Sequence, residues 1–175
     1  MAIRLIAFDV DGSLTDGTIY MNAEGESVKG FSARDGLGLS LASRMGYIVG
    51  VITGRTSPIV MRRTEDLHLQ FCQMKVSDKV SVMEDLLDRF NVSWNEVAYF
   101  GDDWNDLALM KRAAFSGSPL DATDENKAAA DFVSPHTAGY GAARDFIIEI
   151  LKREGRYEEG LASFTEIGNT NPVSQ

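Results

Sequence analysis

The sequence predicts an α/β domain, with a doubly wound parallel sheet covered by helices on both faces. Three observations carry that expectation. Six short apolar runs, "IRLIAFDV", "YIVGVIT", "LQFCQM", "VAYFGD", "AAFSG" and "DFVS", show no alternation of polar and apolar residues, as strands buried on both faces do. Helical patterns separate most of them, which calls for parallel crossovers. Several runs also end in acids, a hydroxyl or glycine, the rim where open sheets of this Rossmann-like kind bind their ligands.

Taken in order, the first strand ends in "FDVDGSLTDG". Between Gly17 and Phe31, "GTIYMNAEGESVKGF" reads as two short strands around a turn at Ala23 to Gly25, a hairpin too small to be a cap domain. Leu37, Leu41 and Met45 recur at four-residue spacing on a helix that Gly46 can end. After the second strand run, Ser57 followed by Pro58 is a helix start. The helix beginning near Asp78 presents Val80, Met83, Leu87 and Phe90, with Asn91 as its C-terminal cap, and Ser93 with Glu96 can form a capping box at the start of its successor. The residues after Glu154 show no sustained periodicity. The expected organisation is one domain over 1–154, with the hairpin insertion at 17–31, and a flexible tail over 155–175.

At 175 residues, 44% of them hydrophobic, the chain can bury a core without staples. The one cysteine, Cys72, forms no internal disulfide, and its apolar context "LQFCQM" makes it a structural thiol. The N-terminus lacks the pattern of a signal peptide, and no apolar run approaches the roughly 18 residues of a membrane span. A cytoplasmic protein is expected. Its net charge of −9 argues against nucleic-acid and membrane partners, so an anionic substrate must be met by a local group of cations.

The strand ends deliver two cations among a larger group of acids. Asp9 and Asp11 follow the first strand, Thr53, Gly54 and Arg55 the second, and Asp102, Asp103 and Asp106 in "GDDWND" a later one, while Lys79 opens the helix after the third. Singly these have ordinary explanations. Asp9 and Asp11 are turn or cap acids, Thr53 a strand-end hydroxyl, Lys79 a solvated helix residue and "GDDWND" a capped helix start. Together they bring acids, a hydroxyl and a cation to one rim. Crowded carboxylates repel, so the set demands a compensating charge.

In this order, "DVDGSLT", "VITGR", Lys79 and "GDDWND" resemble the four motifs of the haloacid dehalogenase superfamily of phosphotransferases. "KGFSARDGLG", "TGRTSPIV" and "GYGAARDF" extend the resemblance to about Glu154 and point to the cap-less subgroup that acts on 3-deoxy-manno-octulosonate 8-phosphate or the related nononate phosphates. The resemblance implies a nucleophile at Asp9, a general acid and base at Asp11, a phosphate-binding hydroxyl at Thr53 and a stabilising cation at Lys79. It implies Mg²⁺ held by Asp9, the Asp11 backbone carbonyl and Asp102, with Asp103 or Asp106 holding metal-bound water or orienting Lys79. Substrate-binding residues would be Arg34, Asp35 and Gly36 of the "SARDG" loop, Gly54 and Arg55 of "TGR", and Arg63. Ser13 stands where the family often has a bulkier aliphatic residue, an expected change at the entrance. Members are typically homotetramers in which the hairpin packs between subunits.

The expected function is hydrolysis of a sugar-acid phosphate, the octulosonate ester being favoured by "RDG" and "TGR". The alternatives are a nononate 9-phosphate phosphatase and a non-catalytic oligomerisation module of a sugar-nucleotide synthetase. A receiver domain also pairs a strand-end aspartate with a lysine, but has no counterpart to "GDDWND".

Overall fold

The structure is a computed structural model that describes residues 2–165. Six strands, β1 (Leu5–Phe8), β4 (Ile48–Ile52), β5 (Phe71–Gln73), β6 (Val97–Phe100), β7 (Phe115–Ser118) and β8 (Phe132–Val133), form one sheet in the order β5-β4-β1-β6-β7-β8. Every pairing in it is parallel. The order runs outward from β1 in both directions, so the β1/β6 boundary is the switch point of a doubly wound sheet.

The pleat divides β1, β4, β5 and β6 between two cores. Ile6 and Phe8 join Val49, Val51 and Phe100 under the helices α1 (Ala33–Arg44), α2 (Pro58–Asp66) and α6 (Ala142–Arg153). Leu5, Ala7 and Tyr99 face the opposite layer, where α3 (Lys79–Phe90) and α4 (Leu107–Met110) contribute Met83, Leu86, Leu87, Leu109 and Met110. Burial on both faces is why these strands read as unbroken apolar runs. The helix α5 (Asp124–Ala129) follows β7.

Local chemistry sets the helix ends. Ser57 caps α2 with Pro58 at its first position. Asp78 caps α3 by accepting from the Val80 and Ser81 amides, and Asn91 closes it in the left-handed region at φ 50°. Ser93 and Glu96 form the expected capping box, although the turn they cap is only three residues of 3-10 helix. The insertion forms an antiparallel ribbon, β2 (Tyr20–Asn22) and β3 (Gly25–Val28).

Within 155–175, expected as a flexible tail, the described residues differ from that expectation. Tyr157–Thr165 forms α7, fastened where the Arg156 guanidinium donates to the Met45 carbonyl at 3.0 Å and Tyr157 packs against the α1/α6 core. Tyr157, Leu161 and Phe164 at spacings of four and three were the overlooked signal. Residues 166–175, the rest of that expectation, lie outside the described residues. Among the described residues no helix is long and apolar enough to cross a membrane.

Candidate active site

At the switch point, Asp9 leaves β1 with its amide donating to the Phe100 carbonyl at 2.9 Å. Lys79, the first residue of α3, reaches across the rim and donates to Asp9 at 2.5 Å and to Asp106 at 2.6 Å. The Tyr99 hydroxyl donates to the same Asp106 oxygen at 2.6 Å. The other Asp106 oxygen accepts the amides of Asp102 and Asp103 at 3.0 and 3.3 Å. Both oxygens of Asp106 are therefore occupied, and it orients Lys79. Asp103 instead caps the turn from Trp104 to Asp106. Of the two candidates for orienting Lys79, Asp106 makes the contact.

Asp102 is drawn against the loop after β1. Its Oδ1 accepts from the Ser13 hydroxyl at 2.7 Å, and a Cβ on Gly12 would stand 2.1 Å from its Oδ2. Gly12 also has φ +93°, a region that L side chains rarely adopt. Ser13 is fully buried, so its hydroxyl orients an acid and does not line the entrance, as the sequence suggested.

Ligand oxygens of Asp9, Asp102 and Asp106 lie within 4.8 Å of one another. One lysine faces these three carboxylates. Burial, only partly offset by Lys79, holds the Asp9 carboxyl well above its ordinary range. Burial likewise pushes Asp102 up to about 7, with the Ser13 hydroxyl opposing the shift. Burial works against the charge of Lys79, but Asp9 and Asp106 outweigh it and raise its pKa. Burial beside Asp106 and Asp9 holds the Tyr99 hydroxyl protonated, hence a donor. The site has an excess of buried negative charge and hard oxygen donors, which fits a divalent cation held by Asp9 and Asp102.

Asp11 projects from this cluster toward the hairpin. Its Oδ1 accepts from Lys29, and its Oδ2 lies 3.9 Å from Arg55 Nε. Thr53 is buried at the end of β4, its backbone tied to Gln73 and Val76 and its hydroxyl accepting from the Arg55 amide at 3.3 Å. Gly54 follows in the same turn. Lys29, Tyr99 and Ser13 are site residues whose contacts sequence reasoning did not identify.

The expected substrate loop is divided. Arg34 lines an open cleft of about 350 Å³ with His136, Gly141, Arg144 and Asp145. Asp35, expected to touch substrate, is buried, and its carboxylate accepts the amides of Gly141 at 3.2 Å and Arg144 at 2.9 Å. Those are the amides of the cap residue and the third residue of α6, so Asp35 belongs to the scaffold. Gly36 is buried within α1 beside it. Arg63 is half-buried, stacked 5.7 Å over the Phe31 ring and donating weakly to the Ser32 carbonyl, so it supports the loop from beneath. Cys72 is half-buried, and burial raises its thiol pKa, as suits an unreactive side chain.

The haloacid dehalogenase-like hydrolase family model matches residues 59–146. The 3-deoxy-D-manno-octulosonate 8-phosphate phosphatase of Escherichia coli K12 is 36% identical over 157 residues, 90% of this chain and 84% of that protein. The Haemophilus influenzae phosphatase of the same name is 36% identical over 88% of this chain and 86% of its own length. Among solved structures, the Moraxella catarrhalis octulosonate phosphatase in complex with magnesium, phosphate and KDO superposes with a TM-score of 0.88 at 35% identity, over 93% of each chain. The cobalt-bound Haemophilus influenzae enzyme gives 0.86 at 34% identity, over 91% of this chain and 96% of that one.

Proposed function

The chain belongs to the haloacid dehalogenase-like hydrolases, and from that premise we propose that it hydrolyses a phosphorylated sugar acid, 3-deoxy-D-manno-octulosonate 8-phosphate. The observation that carries the chemistry is the Lys79 bridge between Asp9 and Asp106 beside Asp102, at the carboxyl ends of adjacent strands. The substrate rests on the relatives named above.

Asp9 is the nucleophile. One of its carboxylate oxygens bonds to phosphorus while the ester P–O bond breaks, and the electron pair leaves with the sugar oxygen, which takes a proton from Asp11. Water then attacks the aspartyl-phosphate and gives a proton to Asp11. The Asp9–phosphorus bond breaks, leaving the free sugar acid and inorganic phosphate. Lys79 offsets charge on the transferring group, with its ammonium held in place by Asp106, and the Thr53 hydroxyl donates to a phosphoryl oxygen. Bound Mg²⁺ would offset the charge of Asp9, Asp102 and the phosphate. Arg55 and Arg34 are the candidate cations for the substrate's anionic groups, Arg55 beside Asp11 and Arg34 in the cleft it lines with His136 and Arg144.

The working unit is residues 1–154 with α7 docked on it, in a homotetramer of the cytoplasm. Ile19, Tyr20, Met21 and Val28 are exposed on the hairpin, an apolar ribbon beside a site that no cap domain covers, and this supports burial of the ribbon between subunits. Phosphate release from a panel of phosphorylated sugar acids, compared by kcat/KM with Mg²⁺ present, tests the assignment. The octulosonate ester should exceed the nononate 9-phosphate by at least about tenfold. Equal or reversed ratios would transfer the assignment to another sugar acid.

A further inference from the structure

Asp11 is held by a residue that lies outside all four motifs. Lys29 directly follows β3, and its side chain is 1% exposed although the ribbon it leaves is open to solvent. It donates to Asp11 Oδ1 and lies 3.0 Å from Glu26 Oε1. The second oxygen of Glu26 accepts from the Ser57 hydroxyl, which also caps α2 by accepting the Val60 amide at 3.2 Å. A continuous polar chain thus runs from Asp11 through Lys29 and Glu26 to the start of α2, close behind the turn that carries Thr53 and Arg55.

The geometry points to Lys29 as a positioning residue: it fixes Asp11 Oδ1 and leaves Oδ2 to carry the proton exchanged with the leaving group and then with water. The inference rests on the reading of Asp11 as general acid and base. Oδ2 faces Arg55, on the side where the proposed substrate cation stands, whereas Oδ1 is turned into the buried lysine. A carboxyl free to rotate would spend part of its time with neither oxygen aligned on the departing alkoxide, and alignment is what a general acid contributes. Glu26 and Ser57 keep Lys29 from following solvent or phosphate, so the hairpin works as a rigid bracket for the acid. The inward contacts of the ribbon are ionic and hydrogen-bonded, which suits a part whose task is orientation.

The test uses leaving groups that differ in their need for a proton. A sugar alkoxide leaves poorly without one, while p-nitrophenolate needs none. For the full-length protein with Mg²⁺, kcat is measured on 3-deoxy-D-manno-octulosonate 8-phosphate and on p-nitrophenyl phosphate, with glycerol 3-phosphate as the alkyl ester if the octulosonate is not a substrate. Asp11→Asn should lower the alkyl-to-aryl ratio by about a hundredfold or more, and Lys29→Met by about tenfold. Lys29→Arg, which returns a cationic donor, should restore the ratio to within about threefold of the parent. A non-selective effect of Asp11→Asn would remove Asp11 from the acid's role, and the inference with it. A selective Asp11→Asn beside equal losses on both esters in Lys29→Met would overturn the role of Lys29 alone. Should Lys29→Met fail to fold, Glu26→Gln loosens the same lysine and should give a smaller loss of the same selectivity. An unchanged ratio there would equally refute the proposal.

Discussion

Removing the divalent cation should make this protein less stable as the pH rises through neutrality. Asp102 is raised from 3.8 to about 7. A carboxyl whose folded pKa exceeds its unfolded one contributes stability fully present below the unfolded value and lost as pH rises through the folded one. Between about pH 5.5 and about pH 7, some 1.5 units at about 1.4 kcal/mol each, the metal-free protein should lose about 2 kcal/mol. For a chain of this size that is a fall of about 4–8 °C in Tm. The upward shift of Asp9 adds in the same direction. Thermal unfolding in EDTA, followed by circular dichroism across that range, measures the slope. Mg²⁺ at about a hundred times its Kd should return about 2.7 kcal/mol at the upper end. Asp102→Asn removes the titrating group and should flatten the EDTA slope while weakening the Mg²⁺ response. Parallel slopes in parent and variant would show that Asp102 is not the cause, and the argument that its buried carboxyl needs a cation would fall.

Asp9→Asn should leave the fold intact and reduce phosphate release by more than about a hundredfold, because an amide is a poor nucleophile and metal ligand; greater residual activity would remove Asp9 from that role. Gly12→Ala should weaken Mg²⁺ binding and cost about 1–3 kcal/mol in urea unfolding, since its Cβ would fall on Asp102 at a positive φ; a neutral effect would mean that the loop yields freely. Light scattering at micromolar concentration should give four times the mass of one chain, and a fully active monomer would refute the burial of the ribbon between subunits.

What could be read from the sequence was local or periodic. Strands buried on both faces announce themselves as apolar runs, and Asp78 with Asn91 marks both ends of α3 without reference to anything distant. The acids of "FDVDG" and "GDDWND" stand at strand ends, so knowing the strands was enough to gather them. Lys29 was illegible because it meets Asp11 only when the ribbon folds back over the loop before it. Tyr99 looked like one more apolar strand residue until its hydroxyl met Asp106. Asp35 sat in a loop that invited a substrate role, and nothing nearby in sequence revealed that α6 lacks a capping side chain of its own.

That last contact has a kinetic meaning. The carboxylate of Asp35 terminates a helix 106 residues further along the chain, so α6 cannot complete its first turn in isolation and α1 cannot bury its acid without α6. The two helices should form and open as one cooperative unit, late in synthesis, after nearly the whole domain has left the ribosome. Native-state hydrogen exchange would register this as matching opening free energies for the Gly141 and Arg144 amides and for the amides of α1. A chain cut before α6 would leave the Asp35 carboxylate without either amide donor, which binds the two helices into a single folding event.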